Sequence, residues 1–596
     1  MIEKVSFLIF FMAVFARSAV FNAWDDNKGL EDQTISSKIS SKKFVLKVAS
    51  LTDDGKSYKD FTGTVCVKVR DKKGVFNSGW INLQFDGDSY KSVAFKVDKA
   101  VGDDNSLRAE MEYDEKKGLT CPLENGGLSK ESFFSDAFCV RPYRFGFFLK
   151  DKMFISQKEY FFEKALKALD YEGNVVENYE KSLVLEYEKL NRKGDVDGSL
   201  AGNLKSLKIS FKKGEGDIKL YFDDTAFLRL ILKDDDFCKE DRKDTALKDR
   251  EIYGEEKVFF KIDRFSLSFL KKPFIKDAFS DFTYLSRDLN HSASFCNLSV
   301  SIKAEGARGE ILKNYKDPKD IYFADPLDIN ATLSVSVREN LLKKDFPNSF
   351  VKEPIPFKDG EAVLRYEDAK FNYAKDYLRP KNPFFVRGKD CNISIEVEDG
   401  VYKSAKGKAF SKFDNEALFY YASFEVGDLK SDLKEVSHEA FIDVYCDKEC
   451  DKYFKNFEER RINWFLNEDD NETSLDKTDF FPKPSVSMKD TVSPYVGIKE
   501  VEKADGGVVR FKVFSTSSES LSSYIHIKIP SWLWHGSYYD YNFSLDSDCS
   551  FHPCFLYIRS VNGKSGVKDI ESGKYEETAG GEYNGTIKKR FLKVFR

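Results

Sequence analysis

The sequence predicts an all-β protein built from tandem two-layer sandwiches. Three observations carry that prediction: a strand–turn–strand pattern that occurs three times, a phrase that closes each unit at a regular interval, and alternating apolar runs in between. The first copy is Lys43-Phe44-Val45-Leu46-Lys47-Val48-Ala49-Ser50-Leu51, then Asp54-Gly55, with Phe61 six residues after the glycine. The second is Ala165-Leu166-Lys167-Ala168-Leu169-Asp170, then Glu172-Gly173, with Tyr179 again six residues on. The third is Leu298-Ser299-Val300-Ser301-Ile302-Lys303-Ala304, then Glu305-Gly306, with Tyr315 nine residues on. Alternation such as Phe44, Leu46, Val48 turns one face inward. The glycine supplies the positive φ that a tight turn needs. The aromatic opens the returning strand.

The closing phrase Val140-Arg141-Pro142-Tyr143-Arg144-Phe145 matches Lys261-Ile262-Asp263-Arg264-Phe265, and Phe145 and Phe265 lie 120 residues apart. Before it, Ser106 to Asp114 resembles Ala226 to Asp234. Units of that length, begun and ended by strands, have the size of immunoglobulin-like sandwiches. The expected division is a leader over 1–19, sandwiches over 20–145 and 146–262, an Ig-like β unit over 263–390, and a larger C-terminal β-rich domain over 391–596. Residues 158–169 and 178–190 are rich in Glu, Lys, Leu and Ala and could be drawn as helices. The repeat argues for strands there, because tertiary context overrides propensity.

The first residues point to export. Lys4 is a basic n-region, Val5 to Ala16 is almost continuously apolar, and Ala16 and Ser18 have the small-residue spacing that signal peptidase accepts. Cleavage after Ser18 or Ala19 is expected. No later segment offers ~18 consecutive apolar residues, so no membrane span is expected after cleavage. The 95 basic and 100 acidic residues nearly cancel to a net charge of −5, which leaves no footprint for a nucleic-acid partner.

Ten cysteines, an even number in an exported chain, read as disulfides more than as thiols or metal ligands. Cys446 with Cys450, and Cys549 with Cys554, are close enough in sequence to pair locally. Cys66 is expected to bridge to Cys121 or Cys139. The segment Cys549-Ser550-Phe551-His552-Pro553-Cys554 could also be drawn as part of a zinc site, but the compartment favours a small disulfide loop.

The chemistry is sparse. The five histidines, 291, 438, 526, 535 and 552, show no metal-ligand spacing. No Gly-x-Ser-x-Gly elbow and no phosphate-cradling glycine loop occurs. Glu468-Asp469-Asp470, Asp234-Asp235-Asp236, and Asp195 with Asp197 and Gly198 could each gather Ca²⁺. The simpler reading of each is a solvated acidic turn, and no metal or other cofactor is assigned. One cluster stands out: Trp532, Trp534, His535, Tyr538, Tyr539 and Tyr541, following the strand Tyr524 to Pro530. Flat aromatic faces beside polar groups suit sugar rings or a protein partner. The alternative is core packing, with both tryptophans on one strand face.

Short phrases give a resemblance. Phe21-Asn22-Ala23-Trp24-Asp25, Ala168 to Tyr179, Ile262-Asp263-Arg264-Phe265, Phe282-Thr283-Tyr284-Leu285 and Asn314-Tyr315 resemble phrases of exported Gram-negative proteins. Those proteins are related to the MSHA-type (type IV) pilus biogenesis family and carry Ig-like repeats and a C-terminal domain of unknown function. Tyr420 to Val426 departs from the family's Tyr-Gly-Arg-Leu phrase. Phe465 to Asp470 is similar to its Asn-x-Asp-Asp phrase but lacks the cysteine that follows. The resemblance implies an exported surface or pilus-linked protein and brings no catalytic residue.

The expected function is therefore non-enzymatic: surface structure or adhesion, possible pilus assembly, with protein or glycan partners at the periplasm, the outer surface or outside the cell. The alternative is an extracellular carbohydrate-binding protein or glycan hydrolase with Ig-like spacers. An outer-membrane barrel fits poorly, because charges occur in every strand.

Overall fold

The computed structural model describes residues 19–123, 132–240, 245–289, 291–296, 298–345, 355–366, 370–401, 403, 405–454, 459–484, 495–536, 553–561, 564–565 and 592–594. The expected leader, apart from Ala19, lies outside them. Among them the chain is all-β, with one four-residue α-helix, Leu247–Arg250. No described helix is long and apolar enough to cross a membrane. The chain divides into two compact units. The first is Met1–Arg264 with Ala304–Ala324 and Lys358–Gly360, and the second is Phe265–Lys303 with Asp325–Phe357 and Glu361–Arg596.

In the first unit, nine strands come before Pro142: β1 (Val20–Asp25), β2 (Lys38–Ile39), β3 (Phe44–Leu51), β4 (Phe61–Asp71), β5 (Ile81–Asp88), β6 (Tyr90–Phe95), β7 (Leu107–Asp114), β8 (Phe133–Phe134) and β9 (Val140–Arg141). They form one sheet ordered β1-β3-β6 and another ordered β5-β4-β7-β8. Phe21, Leu46 and Val48 from one layer meet Val65, Val67, Phe85 and Met111 from the other in a single core. Successive strands β3 and β4 lie in different layers, and β4 pairs with β7. This is the Greek-key wiring of immunoglobulin-like sandwiches.

The second sandwich uses β10 (Arg144–Phe147), β11 (Met153–Ile155), β12 (Tyr160–Leu169), β13 (Lys181–Val184), β14 (Glu186–Leu190), β15 (Lys208–Lys212), β16 (Glu215–Leu220), β17 (Ala226–Asp234) and β18 (Ile252–Lys261). Its hydrogen-bonded order is β13-β15-β16-β12-β10-β18-β17-β14, with β11 also on β18. The two end strands, β13 and β14, are separated in sequence only by Leu185. Both ends of the path are thus one stretch of chain, and the two layers join into a near-closed wrap. The lysine- and glutamate-rich stretches are strands, as the repeat predicted. In β12 the pairing with β16 slips between Phe162 and Leu166. Lys164 sits there at φ +52, its N–H donating to Asp217. This bulge absorbs the residues that break strict alternation.

The second unit holds β19 (Arg264–Lys271), β20 (Phe274–Lys276), β21 (Thr283–Tyr284), β22 (Ala293–Cys296), β23 (Leu298–Glu305), β24 (Leu327–Val335), β25 (Leu342–Asp345), β26 (Glu361–Tyr366), β27 (Lys370–Tyr373), β28 (Phe384–Val386), β29 (Cys391–Asp399), β30 (Lys406–Lys412) and β31 (Ala417–Tyr420). The residues of β19 and β23 at the boundary belong to the first unit. After them come β32 (Ala422–Val426), β33 (Asp428–Ser431), β34 (Glu435–Tyr445), β35 (Glu459–Arg461), β36 (Trp464–Leu466), β37 (Phe480–Pro484), β38 (Val496–Val501), β39 (Val508–Ser515), β40 (Leu521–Ile527), β41 (Cys554–Val561), β42 (Lys564–Ser565) and β43 (Leu592–Val594). The sheet β24-β29-β30 crosses residue 390, where a boundary was expected.

One device closes every strand set. A short strand near the start runs parallel to the last long strand. Ile39 faces Arg141, Ile155 faces Lys261, Tyr284 faces Tyr420, and Ser431 faces Arg559. The recurring phrase around Phe145 and Phe265 is where one such closure ends and the next set begins. Gly254 and Gly407 mark equivalent positions against those phenylalanines. A Cβ on Gly254 would lie 2.3 Å from the Phe145 carbonyl, and one on Gly407 2.5 Å from that of Phe265.

The turn of the repeat recurs more often than the sequence pattern showed. Gly55, Gly74, Gly173, Gly194 and Gly309 all have positive φ. Each donates its N–H to the carbonyl three residues back: Thr52, Asp71, Asp170, Asn191 and Gly306. In the third copy the turn glycine is Gly309, not Gly306. Tyr315 then stands six residues beyond it, which restores the spacing of the first two copies.

Disulfides Cys66–Cys121, Cys139–Cys238 and Cys446–Cys450 are present. Cys554 is also bonded, while Cys549 lies outside the described residues. Cys139–Cys238 ties the first sandwich to the second across 99 residues of sequence. In the chain-entropy account a loop of that size contributes about 4–5 kcal/mol.

Gly214 checks the turn packing. It has φ +72, and a Cβ there would lie 2.4 Å from the Val176 carbonyl. Gly55 has a similar φ but open space around it. Gly214→Ala is expected to cost about 2–5 kcal/mol in denaturant unfolding, from left-handed strain plus overpacking, and Gly55→Ala only about 1–2. Equal losses would mean that strain alone sets the cost.

Candidate functional site

The aromatic cluster singled out in the sequence lies in the second unit. Tyr538, Tyr539 and Tyr541 fall outside the described residues. Trp532 and Trp534 do not share a strand face. After β40, Pro530 fixes an extended φ, and Ser531–Leu533 makes one 3₁₀ turn. That turn sends the two indoles in different directions. Trp532 is buried, its ring centroid 3.5 Å from that of His291. Trp534 is half-buried. Its Nε1 donates to the Ile529 carbonyl at 3.1 Å, and its ring stands 5.4 Å from Tyr377. His535 stands 4.7 Å from Trp464 and 5.8 Å from Tyr421, with Nδ1 at 3.2 Å from the Tyr421 hydroxyl.

The centre of this arrangement is Lys375, which carried no sequence signal. It is 1% exposed. Its ammonium donates to the carbonyls of Ala422 and Trp532 and lies 4.5 Å from the Tyr421 ring centroid. Burial pushes its pKa well below the ordinary lysine range. Arg287 stacks over Tyr377 at 4.4 Å and donates to the Lys375 carbonyl. Ser531 donates to Asp288. Lys375 therefore gathers three segments, around residues 375, 422 and 532, through carbonyls rather than through a carboxylate. A lysine following Asn372-Tyr373-Ala374 looks like any solvated lysine in sequence. Only segments distant along the chain bring its partners.

A second buried polar group sits beside it. The Tyr284 hydroxyl donates to Asp470 at 2.7 Å and accepts from the Asn467 amide at 2.6 Å. Asp470 also accepts from the Glu472 and Thr473 N–H groups and the Thr473 hydroxyl. The stretch 467–487, expected as a polar loop, is instead anchored at its start by buried Asn467 and Asp470. It also contains a 3₁₀ turn with a capping box at Asp476 and Asp479, and β37.

The other acidic candidates are occupied in the same way. Asp234 accepts from the Tyr179 hydroxyl at 2.6 Å, from Lys181, and from the N–H groups of Asp236 and Phe237. Asp197 accepts from the N–H and hydroxyl of Ser199. These carboxylates cap turns. Among the described residues no group of three or more His, Cys, Asp or Glu side chains is placed to hold a metal ion.

A comparison with protein-family models gives no match, and neither does one with characterised proteins. Among solved structures, the chain is similar to invasin, described as a bacterial integrin-binding protein. The identity is 8% over 91% of this chain and 79% of that one, with a TM-score of 0.28. It is also similar to a tetra-tandem repeat from the extending region of a large adhesion protein, at 8% identity over 92% of this chain and 100% of that one, TM-score 0.26. A fragment of ICAM-5, D1–D4, aligns at 8% identity over 86% and 96%, TM-score 0.27. At these scores the likenesses carry no argument, and the fold rests on the strand pairings above.

Lys375 gives a pH test. A lysine whose folded pKa is depressed binds fewer protons than in the unfolded chain, between its folded value and the unfolded value of ~10.4. Its contribution to stability therefore rises as pH rises through that window. In urea unfolding from about pH 6 to about pH 10, the wild-type free energy should gain on that of Lys375→Met toward the alkaline end. Parallel curves would show that the ammonium is not desolvated.

Proposed function

We propose that this chain is an exported, non-enzymatic structural or adhesion protein in which tandem sandwiches present a contact surface to a protein partner at the cell surface. One observation carries the reading. The described groups with chemical potential are consumed in packing and capping: Lys375 on carbonyls, Asp470 and Asp234 on tyrosines and turn amides, Trp532 in the core. Disulfides suit the oxidising compartments outside the cytoplasm. Four sandwiches, each ended by a parallel closure, are the division that best fits the pairings. The contact face is assigned to the segment that begins at half-buried Trp534 and continues through Tyr538, Tyr539 and Tyr541, since aromatic residues dominate binding hot spots. Association with a type IV pilus is the finer form of this proposal. It rests on the short phrases alone, and crosslinking of partners on intact cells addresses it.

The direct test is binding of the purified full chain to cell-surface protein extracts and, in parallel, to a glycan array, with released sugars measured. The expected result is saturable protein binding that falls tenfold or more when Tyr538, Tyr539 and Tyr541 are changed to alanine with the Tm unchanged. Glycan binding without protein binding, or release of sugar, would replace the proposal with the carbohydrate reading. Unchanged binding by the triple variant would remove the face.

A further inference from the structure

The first unit contains two sandwich-to-sandwich contacts, and they use the same parts. In the first sandwich, the two residues after β2 are Ser40 and Ser41. The Ser40 N–H donates to the Arg141 carbonyl and the Ser41 N–H to that of Val97. In the second, the two residues after β11 are Ser156 and Gln157, donating to Lys261 and Phe222. Ser41 and Gln157 both have φ +64. Neither is glycine, and residues held in that region cost free energy and persist only where the surroundings enforce them.

Onto each of these dipeptides sits the repeat turn of the following strand set. The N–H of Tyr171, second residue of the turn at Asp170–Gly173, donates to the Ser40 carbonyl at 3.0 Å. The N–H of Ala307, second residue of the turn at Gly306–Gly309, donates to the Ser156 carbonyl at 3.0 Å. The left-handed residue then grips the turn with its side chain. The Ser41 hydroxyl donates to Asp170 at 2.7 Å. The Gln157 amide donates to the Glu310 carbonyl at 3.1 Å and accepts from the N–H groups of Arg308 and Glu310.

A second clasp accompanies each grip. Asn178 accepts from the Ala100 N–H at 3.2 Å and donates to the Ala100 carbonyl. Asn314 does the same with Ala201 at 2.8 and 3.0 Å, and adds the Thr225 carbonyl at 2.9 Å. Each asparagine directly precedes the buried tyrosine of the repeat, Tyr179 or Tyr315. The joints differ in one respect. At the first, the segment after β17 folds back onto the first sandwich through Cys139–Cys238, through the Glu240 N–H on Asp103, and through Thr245 on the Ser37 N–H. No disulfide joins the described residues at the second.

We infer that these contacts are one repeated coupling device. A left-handed dipeptide at the end of one sandwich receives the Gly turn and the Asn-Tyr pair of the next and fixes the angle between them. The device works at two successive joints, and the first is additionally closed by a covalent bond. Gln157 and Ser41 are its positioning residues.

Hydrogen exchange of the full chain, read by mass spectrometry, tests this. In the wild type, peptides covering Tyr171 and Ala307 should both be protected, with the second joint opening more readily because it lacks the disulfide. Gln157→Gly keeps the left-handed backbone but removes the side-chain grip. It should raise exchange over 306–314 tenfold or more and leave 170–178 and β4 unchanged. Ser41→Gly should do the reverse, raising 170–178 alone. Gln157→Asn, which tolerates the same φ and keeps an amide, should fall between wild type and glycine. The inference is overturned if both turns exchange like exposed loops in the wild type, or if Gln157→Gly leaves 306–314 unchanged. It is also overturned if each variant loosens both joints equally, which would report general destabilisation rather than a local coupling.

Discussion

The architecture depends on a four-residue reverse turn in which a glycine N–H reaches back to the carbonyl three residues earlier. A left-handed conformation at the glycine is the condition for that bond, because other residues meet their own carbonyl there. Once the turn closes, the strand before it and the chain after it lie side by side, and the tyrosine six residues on is carried into the core. Tyr179 and Tyr315 are both buried, and the carbonyl of each accepts from a second glycine N–H, that of Gly214 or Gly360. Those two glycines in turn accept from Ala168 and Ala304 on the strands before the turn. Turn, core and sheet are thus one hydrogen-bonded circuit, and it occurs twice with the same membership.

Much of this was legible in the sequence because it is local. Alternation over Phe44 to Leu51, the glycine turns and the 120-residue interval between Phe145 and Phe265 all report on neighbours along the chain. The same signals resisted the helical composition of 160–190 correctly, since a strand paired on both sides gains more than helix propensity offers. The misplaced glycine in the third copy has a simple cause. Gly306 and Gly309 both lie in the turn, and only backbone φ distinguishes the first residue from the left-handed fourth. The copies at Gly74 and Gly194 went unnoticed because no buried aromatic follows them at the expected place; Leu200 stands where Tyr179 and Tyr315 do.

What could not be read is what depends on distant segments. Cys139 was weighed as a partner for Cys66 within the first sandwich; it bonds Cys238 in the second. Lys375 is ordinary in sequence and buried in space. Trp532 and Trp534 alternate as strand residues would, but Pro530 ends the strand before them and a 3₁₀ turn separates their directions. The acidic runs shared the opposite error. Read as open carboxylates they suggest calcium, yet Asp234 and Asp470 each spend their lone pairs on a tyrosine hydroxyl and on turn amides. A buried carboxylate with that many donors is already satisfied.

The near-closed wrap of the second sandwich bears on how this chain avoids its own kind. Open sandwiches carry long unpaired strand borders that template growth by neighbouring chains. Here the stretch from Lys181 to Leu190 pairs with β15 along its first part and with β17 along its second. The borders it leaves bare are four and five residues long and carry Lys181, Glu186, Glu188 and Lys189. Short, charged borders are poor templates. A chain so rich in phenylalanine can keep this part of itself from polymerising through sheet extension, while remaining free to meet other molecules through side chains.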